Sequence, residues 1–272
     1  MRKVYSARSG LLGTGVNRVV AVDDVSFSLQ IGESLGIVGE SGSGKTTIAK
    51  LLMGLEKLTS GTATISGRRL GTRVRSRQAR LRAAKDVQIV FQNPYQSLDP
   101  RQSIVRSVEE PLALHTRLDR GARTSRAREL LEQVGLDDRI ARSRPQSLSG
   151  GQRQRVAIAR ALAVQPRIMI LDEAVASLDV SVQAQVLNLI SDIRGREELS
   201  LIVITHDLAV ANQICDNVVV LKSGRVVESG SRQQVLLTPQ HPYTRLLRAA
   251  VPSQGWTPIR IRDAKDGPQV DD

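Results

Sequence analysis

Residues 35–50 read L-G-I-V-G-E-S-G-S-G-K-T-T-I-A-K, and the rest of the chain arranges itself around them. The apolar run Leu35–Val38 predicts a buried strand. It leads into Gly39, Glu40, Ser41, Gly42, Ser43, Gly44, Lys45 and Thr46, the pattern G-x-x-x-x-G-K-T of a phosphate loop. Beyond Thr47, residues 48–55 carry apolar side chains at helical spacing. The chemistry needs this order. Glycines let the backbone curl so that successive N–H groups point at phosphate oxygens. The helix that follows aims its positive dipole end at the same anion. Lys45 is then placed to reach β- and γ-phosphates, and the Thr46 hydroxyl to bind Mg²⁺.

Composition bounds the rest. The chain has 272 residues and is 40% hydrophobic, enough for a real core and near the upper size of one domain. Aromatic residues make up only 2%, so the core must be built from Leu, Ile, Val and Ala. Cys215 is the one cysteine, which excludes an intrachain disulfide and a thiol-rich metal site and fits a reducing cytosol. No apolar run approaches the ~18 residues of a membrane span. The opening M-R-K-V-Y-S-A-R-S-G lacks the apolar centre of a signal peptide. A net charge of +12 favours polyanions: nucleotide, nucleic acid or anionic lipid. The densest basic run, Arg68–Lys85, holds eight Lys or Arg and no acid. Its plainest reading is a solvated Arg-rich connection. A lipid-facing or nucleic-acid-facing patch is the alternative, and the lack of interleaved aromatics argues against single-strand binding.

Patterning predicts an α/β chain. Residues 1–17 read as irregular, and residues 19–29 alternate as strands up to Gly32. Short apolar runs at Gly61–Ser66, Val87–Phe91, Ile168–Leu171 and Leu201–Ile204 read as further strands. Between residues 97 and 165 the pattern turns helical. Thr124 is placed to cap a helix through Val134 with Gly135 as its stop, and Ser149 to open a second one. Ser181–Arg194 is amphipathic, with Gly195 after it. Ser223-Gly224 marks a hairpin between Val218–Leu221 and Arg225–Glu228, and the tail after Pro252 reads as loosely ordered. A helical insert thus divides two parts of one nucleotide-binding sheet.

Four further stretches carry chemistry. Leu148-Ser149-Gly150-Gly151-Gln152 is a Ser-capped helix start with two glycines, a second backbone site for phosphate. The strand Ile168–Leu171 ends in Asp172 and Glu173. A carboxylate there suits Mg²⁺, and its neighbour can act as general base on a water. Thr205-His206-Asp207 follows another strand, so His206 reaches the same crevice as a γ-phosphate sensor. Gln92, at the end of Val87–Phe91, offers a neutral amide to the metal or the water. His115 and His241 have no such setting.

Together these residues resemble the ATP-binding subunit of ABC transporters. The set is G-E-S-G-S-G-K-T-T at 39–47, F-Q-N-P at 91–94, L-S-G-G-Q at 148–152, I-M-I-L-D-E at 168–173, S-L-D at 177–179 and T-H-D at 205–207. Finer features resemble the oligopeptide/dipeptide importer branch, which also holds nickel and glutathione importers. These are A-V-D-D-V-S-F at 21–27, F-Q-N-P-Y-Q-S-L-D-P-R at 91–101, D-V-S-V-Q-A-Q-V-L-N-L at 179–189 and H-P-Y-T-R-L-L at 241–247. Ala176-Ser177-Leu178-Asp179 departs slightly from the family's usual Ser-Ala-Leu-Asp and keeps Asp179.

The resemblance implies a phosphate-loop NTPase cassette with a RecA-like core sheet, an antiparallel β subdomain and a helical signature subdomain. Residues 1–236 would be the ATPase domain, with the helical part at about 97–165, and residues 237–272 a C-terminal extension. It implies an ATPase that powers import of peptides, or of nickel or glutathione, from the cytoplasmic face of the inner membrane, with ATP and Mg²⁺ as cofactors. Two such subunits would pair head to tail, each ATP lying between the phosphate loop of one and Ser149–Gln152 of the other, with Asp179 at the contact. Two transmembrane permease subunits and an external substrate-binding protein would complete the assembly, with no nucleic acid. Thr46, Gln92 and Asp172 would hold the metal. Lys45, Gln92, Glu173 and His206 would carry the chemistry. Tyr5 would stack on adenine, while Phe27 and Cys215 read as core. The rival class, a soluble ABC-type ATPase on nucleic acid, is weakened by the short spacing from Lys45 to Ser149, which leaves no room for long coiled coils.

Overall fold

The structure is a computed structural model that describes residues 1–9, 15–70, 77–94 and 98–250. The chain begins with an antiparallel pair, β1 (Lys3–Ser9) and β2 (Gly15–Val22). Then come β3 (Ser34–Val38), the phosphate-loop stretch and α1 (Lys45–Leu52). A two-residue pair, β4 (Thr64–Ile65) and β5 (Arg68–Arg69), precedes α2 (Arg77–Asp86) and β6 (Val87–Phe91). Helices α3 (Ile104–His115), α4 (Arg120–Gln133), α5 (Asp138–Arg142) and α6 (Gly150–Leu162) follow. The chain then alternates: β7 (Ile168–Asp172), α7 (Val180–Arg196), β8 (Ser200–Thr205), α8 (Leu208–Ile214). It closes with the hairpin β9 (Asn217–Lys222) and β10 (Arg225–Ser231) and with α9 (Pro242–Ala249).

The main sheet has the order β10–β9–β3–β8–β7–β6, parallel from β9 to β6, with β10 antiparallel at the edge. Its inner strands are nearly unbroken apolar runs because both faces are covered. Met169, Leu171, Leu201 and Val203 face a core shared with α3, α4, α6, α7 and α8. Ile170, Ile202, Ile204 and Ile37 face the opposite core with Ile48, Leu51 and Leu52 of α1. Cys215 is buried, with Gly36 of β3 so close that a Cβ there would lie 3.0 Å from Sγ. Burial, reinforced by the Asp216 carboxylate, pushes the thiol up to about 12.

Several sequence expectations are corrected. Residues 3–9 and 15–17 are strand rather than irregular. The strand expected over residues 19–29 stops at Val22. Asp24 turns the backbone to φ 53, and the N–H groups of Asp23 and Val25 pair singly with Gly224 and Met1 instead of joining a ladder. The strand at Gly61–Ser66 shrinks to Thr64–Ile65. Thr124 caps nothing: the Asp119 carboxylate accepts the Ala122 N–H at 2.9 Å and starts α4 earlier, and the Thr124 hydroxyl donates to Glu109 of α3. Gly195 lies inside α7, whose last turn is tied down by Arg194 pairing with Asp216 at 3.0 Å. The basic run is no simple connection: its ends form β5 and α2, and Arg68 pairs with Asp86 at 2.7 Å. The tail after Pro252, and Gly10 and Gly13, lie outside the described residues.

Candidate functional site

The parallel register brings four strand ends to one edge of the sheet. Val38 of β3 stands beside Thr205 of β8, Ile204 beside Asp172 of β7, and Asp172 beside Phe91 of β6. Strand ends in such sheets open on a ligand crevice, and the chain places its polar residues there. A cleft of about 660 Å³ is lined by Ser41, Thr46, Phe91, Gln92, Asn93, Asp172 and Glu173.

The phosphate loop is held from behind. At Gly39 (φ 154) a Cβ would meet the Leu221 carbonyl oxygen at 2.3 Å, and at Gly44 (φ 103) it would meet the Ala21 carbonyl oxygen at 2.3 Å. The loop therefore needs glycine twice, for conformation and for close approach to β9 and β2. Lys45 is buried at the start of α1, and its ammonium donates to the carbonyls of Gly39 at 2.7 Å and Glu40 at 2.8 Å. Burial lowers its pKa, against the pull of Glu173, Asp172 and Glu40. The Ser43 hydroxyl is buried with no partner among the described residues. An orphan hydroxyl, an ammonium parked on carbonyls and a helix start together fit an anion of the phosphate class.

Asp172 is 7% exposed. Burial, then the Glu173 carboxylate, raises its pKa above the ordinary 3.8, with Lys45 opposing. Its proton is thus held more tightly folded than unfolded, so stability is lost as pH rises through the folded value. Asp172→Asn should accordingly raise the melting temperature of the nucleotide-free protein at pH 8, with the gain shrinking as acid protonates the wild-type carboxyl. Thermal denaturation at several pH values checks this, and a loss of stability at pH 8 would contradict it. Among the described residues no cluster of three or more His, Cys, Asp or Glu could cage a metal. Asp172 with Thr46 and Gln92 fits instead a cation that keeps waters and borrows phosphate oxygens, which is Mg²⁺ chemistry.

Glu173 follows with φ 50, a left-handed backbone, while its N–H donates to the Ile204 carbonyl at 2.9 Å. That turn delivers the carboxylate to His206 on the neighbouring strand end, with Nδ1 and Oε1 3.3 Å apart. Gln92 and His206 are exposed, and Glu173 is half-buried.

The second glycine motif is built as the expected helix cap. Ser149 Oγ accepts the Gln152 N–H at 3.2 Å, and the Gln152 side chain accepts the Ser149 N–H at 3.0 Å, a reciprocal cap on α6. Gly150 opens on a separate groove of about 440 Å³ with Gln92, Asn93, Pro94, Arg153, Ser177 and Leu178. Gly151 is packed so tightly that a Cβ would lie 2.3 Å from Val182 of α7. Asp179 caps α7, accepting from the Ser181 hydroxyl and the Val182 N–H, which hold its carboxyl below the usual range. Within one chain, Gly150 and the phosphate-loop residues Ser41 and Thr46 line different clefts, which share Gln92 and Asn93. Tyr5 lies opposite Val19 on the β1–β2 pair that abuts Gly44, with the Lys3 ammonium 4.7 Å over its ring. Sequence reasoning missed Tyr243: its hydroxyl accepts the Glu40 N–H of the phosphate loop at 3.3 Å. The only signal was the run H-P-Y-T-R-L-L, which carries no hint of that contact.

Known proteins resemble this chain in sequence and in fold. The family profile described as ABC transporter matches residues 22–176. Over 248 residues the chain is 45% identical to the glutathione import ATP-binding protein GsiA of Pectobacterium atrosepticum, covering 91% of this chain and 40% of that protein. It is 46% identical to the GsiA of Shigella dysenteriae, with the same coverage of 91% and 40%. The chain thus spans about 40% of the length of the curated relatives it matches. Among solved structures, a dimeric ATP-binding cassette in a post-hydrolysis state bound to ADP and Pi aligns with TM-score 0.73 at 29% identity, over 84% of this chain and 96% of that one. The cbiO1 protein from Clostridium perfringens, part of the ABC transporter complex cbiONQ, aligns with TM-score 0.73 at 28% identity, over 80% and 85%.

Proposed function

We infer, for a chain that belongs to the ABC transporter family, that it is the ATP-hydrolysing subunit of a membrane importer of the peptide class. One observation carries the reading. Lys45, Thr46, Gln92, Asp172, Glu173 and His206 meet at one edge of the sheet, while Gly150, at the start of α6, opens on a second groove that shares Gln92 and Asn93. A phosphate cradle with its own base, beside a second glycine cap whose Gly150 lines another groove, reads as half of two sites. Two copies placed head to tail would supply each cradle with the other's Ser149–Gln152, and Asp179 would lie along that contact.

In this reading the loop N–H groups and Lys45 hold the phosphates, and Tyr5 stacks on the base. Mg²⁺, when bound through Thr46, Gln92 and Asp172, supplies neutralisation of charge on the phosphate oxygens. Glu173 Oε1 accepts the proton of the attacking water. His206, with Nδ1 3.3 Å from Glu173 Oε1, steadies that carboxylate beside the γ-phosphate position. We read residues 1–236 as the ATPase domain, with the helical part at about 97–165 carrying the signature, and residues 237–272 as an extension. Among the described residues no helix is long and apolar enough to cross a membrane. Two permease subunits would form the path, with this chain peripheral on their cytoplasmic side, and an external binding protein would choose the cargo. The relatives' names point to glutathione, itself a tripeptide, within the peptide class.

Co-purification from native membranes in mild detergent tests this. Expected partners are two multi-span proteins, an ATPase of the same kind and a substrate-binding protein, which is then screened with peptides, glutathione and Ni²⁺. Recovery only in the soluble fraction with RNA or DNA attached would overturn the importer reading.

A further inference from the structure

The structure assigns to Tyr243, in the C-terminal helix α9, the role of a positioning residue for Lys45, exerted through the Gly39–Glu40 peptide. This rests on the reading of the phosphate loop as the nucleotide site. Gly39 C=O and Glu40 N–H belong to one peptide unit. Lys45 Nζ donates to its oxygen at 2.7 Å, and its N–H donates to the Tyr243 hydroxyl at 3.3 Å. The unit is gripped on opposite edges, and its orientation decides where the Lys45 ammonium rests. Gly39, with φ 154, has no side chain to fix that orientation, so neighbours must do so.

The tyrosine is itself fixed. It is 5% exposed, and its ring lies under the Lys222 ammonium at 4.7 Å. Lys222 follows Leu221, whose carbonyl backs Gly39. The start of α9 is held by two devices. His241 Nδ1 accepts the Tyr243 N–H at 3.1 Å, and the Glu228 carboxylate on β10 accepts the N–H groups of Gln240 at 2.7 Å and His241 at 3.2 Å. From β10 the ladder runs through β9 to β3, the strand that feeds the loop. The extension therefore clamps the loop it reaches over. When Lys45 turns toward a phosphate and loosens its hold on the Gly39 carbonyl, the tyrosine hydroxyl remains as the anchor of that peptide.

Tyr243→Phe keeps the ring, its packing and the lysine above it, and removes only the acceptor of the Glu40 N–H. Loss of one such bond corresponds to about 3–10-fold. The dissociation constant for ATP with Mg²⁺, measured by calorimetry on the full chain, should rise by that factor. The melting temperature without nucleotide should fall by no more than the roughly 2–4 °C that one hydrogen bond is worth, and the rise in melting temperature produced by ATP with Mg²⁺ should shrink in step with the dissociation constant, which a tyrosine that only supports the fold would not cause. An unchanged dissociation constant overturns the inference, as does an ATP-induced rise equal to that of the wild type. The wild-type titration separates the two readings: no ATP binding by the wild type would sink the proposed function itself, whereas normal wild-type binding matched by the variant would sink only the role of Tyr243.

Discussion

Glu173→Gln should lower ATP hydrolysis about 10²–10⁴-fold, the usual loss of a general base, while ATP binding stays close to wild type. The substitution is nearly isosteric. It keeps the shape that the left-handed backbone at φ 50 presents to His206, and it replaces the basic carboxylate by an amide that cannot take up the water's proton. In the proposed head-to-tail pairing ATP lies between the two copies, so its hydrolysis would loosen the pair. The variant should therefore accumulate as an ATP-dependent dimer, seen as a doubling of mass by size exclusion with light scattering in ATP but not in ADP. Phosphate release assays read the other half. Wild-type turnover by Glu173→Gln would remove Glu173 from the chemistry and leave the cleft without an assigned base.

Gly44→Ala should abolish nucleotide binding and lower the melting temperature by about 10 °C. Two costs add. The position sits at φ 103, where an L side chain is strained, and the new Cβ would lie 2.3 Å from the Ala21 carbonyl. That oxygen belongs to the backbone of β2, so it cannot swing away as a flexible side chain could. Costs of this kind reach about 3–5 kcal/mol, and each kcal/mol is worth about 2–4 °C in a chain of this size. Gly42→Ala is the matched control. It has φ 80, but its Cβ would meet nothing within 4 Å, so it carries the strain without the collision. Calorimetric scans of the two variants side by side decide the matter: equal losses would mean that the approach to Ala21 is unimportant.

The site was legible in the sequence where its chemistry is local. A phosphate cradle is one continuous loop with its own helix, and Asp172, Glu173 and His206 each sit one or two residues past an apolar run. Position along the chain thus predicted position at the sheet edge. The strands β3, β7 and β8 were equally plain because both their faces are covered. What failed lies where distant backbone decides. Residues 23–29 alternate like a strand, yet Asp23 and Val25 find their partners in Gly224 and Met1. Thr124 looked like a cap because Asp119, the stronger one, stands a turn earlier. The Tyr243 contact spans 203 residues, beyond the reach of any periodicity. That Ser149–Gln152 would meet another copy's phosphate loop is what the resemblance implies; in this chain Gly150 lines a second groove and Gly151 packs on Val182.

The lone thiol has a practical consequence. Cys215 is walled in by Gly36, and its proton is held up to about 12, so the thiolate needed for alkylation is scarce at neutral pH. These 272 residues are therefore already a quiet background for maleimide chemistry. A single cysteine added anywhere on the surface can carry a fluorophore or spin label with no stray signal from within. The proposed pairing of two copies can then be tested by distance spectroscopy without first stripping the core of a residue it needs for packing.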